Sequence, residues 1–224
     1  MSITHNITKY IQSLPPGVKL VAVSKTKSNE EIMEAYHAGQ RIFGENKVQE
    51  LVQKWETLPK DIEWHFIGHL QSNKVKYIAP FIAMIHAVDS VKLLNVIQEE
   101  GRRLDRKIPC LLQFHIAEEE TKFGFSPSEF SQLFEPKDAA QLDHIRFSGV
   151  MGMATFTDND QVINREFSDL HRLFEKLKTT HFSERTDFSE ISMGMSHDYN
   201  LAIQNGSTFV RIGSAIFGDR NNLT

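Results

Sequence analysis

Leu20-Val21-Ala22-Val23-Ser24-Lys25-Thr26-Lys27-Ser28-Asn29-Glu30-Glu31 reads as a strand, a turn and the opening of a helix. The apolar run is short and β-branched, as a buried strand requires, and Ser28 can accept hydrogen bonds from the unpaired N–H groups of a first helical turn. The same unit recurs along the chain. Strands are predicted over residues 20–24, 41–44, 63–67, 84–87, 108–116, 146–151, 190–192 and 209–212, and helices over 29–38, 47–57, 74–79, 90–105, 126–134, 160–178 and 196–205. A further helix over 2–14 precedes Pro15-Pro16. Asp89-Ser90 suits another helix start, and Gly39, Gly101 and Gly206 suit helix ends closed by a left-handed residue. Eight strands alternating with seven helices, without linker, internal repeat or low-complexity tract, predict a single α/β domain over 1–224, a (β/α)8 barrel of the TIM type with an extra N-terminal helix, in preference to a doubly wound sheet.

The chain has 224 residues, 40% of them hydrophobic, which is enough for one substantial core. A formal charge of -4 gives no broad electrostatic reason to bind nucleic acid or an anionic membrane. Cys110 is the single cysteine, so an intrachain disulfide and a cysteine metal cluster are both excluded, and its apolar surroundings predict a buried thiol. The N-terminus lacks a basic stretch followed by an apolar one, and no segment is apolar for the ~20 residues of a membrane span. The expectation is a cytoplasmic protein with a small-molecule ligand and no metal.

Chemistry in a barrel of this type sits at the carboxyl ends of the strands. Lys25 follows the first strand directly, where desolvation would favour a nucleophilic amine able to form an imine with an aldehyde. After the seventh strand comes Ser192-Met-Gly-Met-Ser196, with Ser196 expected at a helix start, and after the eighth Val210-Arg211-Ile-Gly213-Ser214. These two adjacent loops are where barrels commonly hold phosphate. A ligand with both a carbonyl and a phosphate is implied, and pyridoxal 5'-phosphate has both. A Schiff-base aldolase acting on a sugar phosphate fits the same three pieces. Arg211 adds a distinction: a guanidinium facing a pyridine nitrogen does not readily give up a proton, which leaves the ring nitrogen unprotonated and weakens it as an electron sink.

Val21-Ala-Val-Ser-Lys25, Phe43-Gly-Glu-Asn46-Lys-Val-Gln-Glu50, His65-Phe-Ile-Gly-His-Leu-Gln-Ser-Asn-Lys74, Ser192-Met-Gly-Met-Ser196 and Val210-Arg-Ile-Gly-Ser-Ala-Ile-Phe-Gly218 together resemble the pyridoxal phosphate homeostasis proteins over nearly the whole chain. The resemblance implies a barrel like the N-terminal domain of alanine racemase, with Lys25 as the Schiff-base lysine, Ser196, Gly213 and Ser214 around the phosphate, Arg211 facing the pyridine nitrogen, and Asn46 and His65 lining the pocket. Position 214 often carries threonine in relatives; serine keeps the hydroxyl. It further implies a monomer that handles the vitamin B6 coenzyme inside the cell without robust turnover, with pyridoxal enzymes as recipients. Alanine racemase adds a C-terminal β domain that supplies a tyrosine base, for which these 224 residues hold no counterpart. An amino-acid racemase using Lys25 alone is the alternative.

Three further signals are read as structural. His65 and His69 stand four apart, but Phe66-Ile67-Gly68 between them looks like a strand end and turn rather than one helix face. The run Glu118-Glu-Glu120 suits a solvated loop. Phe167, Leu170, Leu173, Phe174 and Leu177 form the inner stripe of an outer helix.

Overall fold

The computed structural model describes residues 2–118, 123–135, 137 and 141–218. Eight parallel strands close into a barrel in chain order: β1 (Lys19–Val23), β2 (Ile42–Glu45), β3 (Glu63–Phe66), β4 (Met84–Val88), β5 (Ile108–Gln113), β6 (Ile145–Met151), β7 (Glu190–Ser192) and β8 (Phe209–Ile212). The seam is closed by β1 on β8, with Lys19 opposite Phe209 and Ala22 opposite Ile212. Outside lie α1 (Ile3–Ser13), α2 (Asn29–His37), α3 (Val48–Thr57), α4 (Val75–Ile78), α5 (Val91–Arg103), α6 (Pro127–Leu133), α7 (Asp160–Thr180), α8 (Tyr199–Gln204) and α9 (Ser214–Phe217).

Strand pleating divides the apolar residues into two layers. Leu20, Ala22, Phe43, Trp64 and Phe66 belong to the large core between strands and helices, whereas Val21, Met84, Leu111, Met151 and Phe209 pack inside the barrel. The α7 stripe faces inward as expected, with Phe167, Leu170, Phe174 and Leu177 buried. Cys110 is fully buried, and burial pushes its thiol pKa up. At the β6–β7 seam, Gly149 has φ 151° and a Cβ there would lie 1.7 Å from the Glu190 carbonyl oxygen.

Local signals explain most helix starts. Ser28 accepts from the Glu31 N–H while the Glu31 carboxylate accepts from the Ser28 N–H, a complete capping box, and Ser90 accepts from Leu93. Most boundaries fall within two residues of expectation; two differ by more, and one glycine has a different role. β5 stops at Gln113 rather than 116, because Phe114, still buried, leaves the ladder for a bridge with Phe125. Gly101 lies inside α5 rather than at its end; its missing Cβ admits the Arg106 carbonyl oxygen, which a Cβ would meet at 2.8 Å, and the positive φ of 49° falls later, at Asp105. The helix placed over 196–205 begins only at Tyr199, so Ser196 belongs to the preceding loop. Part of the acidic run, Glu119 and Glu120, lies outside the described residues.

Candidate functional site

The carboxyl ends of the strands surround a cavity of about 780 Å³. Six of the seven residues singled out from sequence line it: Lys25, Asn46, Ser196, Arg211, Gly213 and Ser214. The alternation that turns Val21 into the barrel continues through Val23 to Lys25, which brings the amine to the cavity wall. Lys25 is the second residue of a four-residue turn closed by the Lys27 N–H on the Ser24 carbonyl at 3.0 Å. Thr26, the third, has φ 64°, a left-handed conformation that costs a residue with a Cβ on the order of 1–3 kcal/mol. Just past the end of β2, Asn46 reaches the cavity beside Gly68, where a Cβ would come within 2.7 Å of the Asn46 Cβ.

Opposite the lysine, the loops after β7 and β8 meet. Ser196 Oγ accepts from the Gly213 N–H at 3.4 Å and from Ser214 Oγ at 3.3 Å. The N–H groups of Ser214 and Ala215 find no acceptor among the described residues. Two hydroxyls and two open N–H groups in one corner suit the oxygens of a phosphate, which accept but do not donate.

Arg211 is buried at the cavity floor, where Nη1 donates to Ser192 Oγ at 2.6 Å and Nη2 to the Gly152 carbonyl at 3.1 Å. Burial lowers its pKa to about 10, opposed by the charge of Asp198, so it remains a cation at neutral pH. Below it the polar contacts continue, with Ser192 Oγ 2.9 Å from His86 Nδ1 and His86 Nε2 2.8 Å from His65 Nδ1. Arginine can only donate, and a consistent assignment passes one proton per contact from Arg211 through Ser192 and His86 to His65.

This corrects the expectation for His65, which does not line the cavity. It sits midway along β3 inside the barrel and faces a separate cleft at the amino ends of the strands, bordered by Lys19, Glu63, Arg146, Asp187 and Glu190. Burial, with a smaller contribution from the Lys19 charge, holds its pKa down at about 3. His86 is lowered too, by burial first and by the charges of His65 and Arg211. His69 lies at the rim of the cavity instead, bonded to Asp89 at 2.8 Å and stacked on Phe123. Among the described residues no group of three or more His, Cys, Asp or Glu is placed to hold a metal ion.

Several contributors escaped the sequence reading. Phe123, Phe156 and His197 border the mouth, and Phe156 is 79% exposed. The usable signal for His86 was a polar residue in the middle of Met84-Ile-His-Ala-Val, which is buried throughout. Behind the wall, Lys54 donates to Glu45 Oε1 at 2.8 Å and Glu50 Oε1 at 2.6 Å.

The family model described as alanine racemase, N-terminal domain, matches residues 1–221. The pyridoxal phosphate homeostasis protein of Pasteurella multocida is 41% identical over 208 residues, covering 92% of this chain and 88% of that one. The chain belongs to this family. Its human member is 40% identical over 213 residues, covering 91% of this chain and 77% of its own length. Among solved structures, PipY of Synechococcus elongatus with pyridoxal phosphate bound superposes with a TM-score of 0.87 at 32% identity, covering 97% of this chain and 100% of that one. Alanine racemase of Bartonella henselae superposes with a TM-score of 0.73 at 16% identity, over 99% of this chain and 62% of the enzyme, which shows a common barrel. No helix among the described residues is long and apolar enough to cross a membrane.

Proposed function

We propose that the chain binds pyridoxal 5'-phosphate as a Schiff base on Lys25 and serves vitamin B6 homeostasis by holding the coenzyme and releasing it to pyridoxal enzymes, without robust turnover of its own. The observation that carries this reading is the convergence, in one cavity, of Lys25, the Ser196–Gly213–Ser214 corner and the buried cation of Arg211. The coenzyme supplies an aldehyde. The chain's residues divide the rest: Lys25 offers the amine, the serine corner receives the phosphate, Asn46 borders the ring, and Arg211 faces the pyridine nitrogen as a group that donates without readily giving up its proton. A ring held in this way is a weak electron sink, and the described residues lining the cavity include no tyrosine to act as a second base. The names borne by the homologues agree with a homeostatic role. The same reading carries the expectation of a cytoplasmic monomer.

Lys25→Ala tests it. The variant is expected to keep the circular dichroism and melting behaviour of the parent while losing the visible imine band in the presence of the coenzyme; a retained band would overturn the assignment. A panel of amino acids assayed for racemisation separates holding from catalysis. Steady turnover that disappears in Lys25→Ala would establish the racemase reading instead.

A further inference from the structure

We propose that Glu45, Glu50 and Lys54 form a positioning clamp that holds the Lys25 turn in its imine-forming geometry from behind the barrel wall. The proposal rests on the reading of Lys25 as the Schiff-base lysine, and its observations are independent of the cavity.

Ser24 and Glu45 follow the outward-facing positions Ala22 and Phe43 on their strands, so they meet α3 rather than the barrel interior. Lys54, buried on α3, uses its three donors on the Ser24 carbonyl at 2.8 Å, Glu45 Oε1 at 2.8 Å and Glu50 Oε1 at 2.6 Å. Glu45 Oε1 accepts from the Ser24 hydroxyl at 2.6 Å, and Glu50 Oε1 accepts from the Thr26 N–H at 2.6 Å. The residues immediately before and after Lys25 are therefore both gripped by one charged cluster. The strained residue of the turn, Thr26 with φ 64°, is the one whose N–H a carboxylate holds.

The cluster is costly in itself. Glu45 is fully buried, its Oε2 has no hydrogen-bond partner among the described residues, and burial raises its carboxyl pKa against the opposing pull of Lys54. Apolar residues of similar volume would pack this layer at least as stably, because burying charges forfeits their hydration. What they could not do is hold a carbonyl and an N–H on either side of one lysine.

Condensation of the neutral Lys25 amine replaces the aldehyde's C=O bond with a C=N bond to Nζ, and the carbonyl oxygen leaves as water carrying both amine hydrogens. Its equilibrium depends on the amine lying against a ring already seated by its phosphate, so a loosened turn should cost the covalent step and spare the non-covalent one. Glu50 is the residue to alter, since its side chain is 22% exposed, whereas Lys54→Met would strand the Glu45 charge in the interior.

In Glu50→Ala, the apparent dissociation constant for pyridoxal phosphate, read from the imine band, is expected to rise at least tenfold, with that for 4'-deoxypyridoxine 5'-phosphate, which lacks the aldehyde, changing by no more than about twofold. Glu50→Gln keeps an oxygen for the Thr26 N–H and is expected to restore most of the loss. Equal weakening for both ligands, or no weakening for either, would overturn the clamp. Borohydride reduction of the parent protein keeps the two ideas apart: a pyridoxyl adduct on Lys25 with an unaffected Glu50→Ala sinks the clamp alone, and no adduct on Lys25 sinks both.

Discussion

The interior histidines make a sharp prediction about acid. His65 is 2% exposed and surrounded by His86, Phe209 and the Lys19 ammonium. Burial, then Lys19, moves its pKa from 6.5 to about 3. The sign follows from counting protons. Below pH 6.5 the unfolded chain protonates this histidine and the folded barrel does not, so stability falls as the pH falls and rises with pH until 6.5 is passed. Between roughly pH 7 and pH 5 this one group removes about 2 kcal/mol, which for a chain of this length lowers Tm by about 4–8 °C. His86 adds to the loss in the same direction. Urea unfolding of the coenzyme-free protein at both pH values measures the total, and His65→Gln isolates this share: glutamine can still accept from His86 Nε2 but does not titrate. The variant should lose about 2 kcal/mol less than the parent over the interval. Equal pH dependence in the two proteins would refute the burial argument for His65.

Other consequences are simpler to read. Gly149→Ala forces a Cβ to within 1.7 Å of the Glu190 carbonyl oxygen at a φ of 151°, and is expected to cost more than about 3 kcal/mol and to yield poorly folded protein; a Tm within a few degrees of the parent would contradict the β6–β7 geometry. Ser196→Ala removes the oxygen shared by the Gly213 N–H and Ser214 Oγ, so the affinity for pyridoxal phosphate should drop roughly tenfold, the effect of one hydrogen bond to a charged group, while the affinity for unphosphorylated pyridoxal stays level. A matching loss for pyridoxal would mean that Ser196 supports the loop and not the phosphate.

The architecture was largely legible because its signals are local. A parallel strand buried on both faces leaves a short apolar run, and a serine before a helix leaves its mark within four residues, so all eight strands and the capping of α2 follow from spacing alone. Sequence fell short where a local pattern stands for a non-local fact. Phe114 continues the apolar pattern after the ladder has ended, and Gly101 looks like a helix stop although its role is to admit a neighbouring carbonyl. At the site, position after a strand selected Lys25, Ser196, Gly213 and Ser214, Arg211 was singled out near the end of the eighth strand, and the family resemblance added Asn46; all six border the cavity. The resemblance also implied His65, which borders the opposite mouth instead: the depth of a residue along its strand decides which end it faces, and no local pattern encodes depth. Lys54 was invisible for a similar reason. Its spacing from Glu50 is that of an ordinary surface pair, and only packing against β2 buries it next to Glu45.

Everything proposed for this chain depends on a covalent bond between Lys25 and the coenzyme. The most direct measurement is an absorbance spectrum of the purified protein with pyridoxal phosphate, before and after borohydride reduction, followed by peptide mass mapping. A visible imine band is expected that disappears on reduction, leaving a stable pyridoxyl group on the peptide containing Lys25. A spectrum with no such band, or an adduct on another lysine, would contradict it.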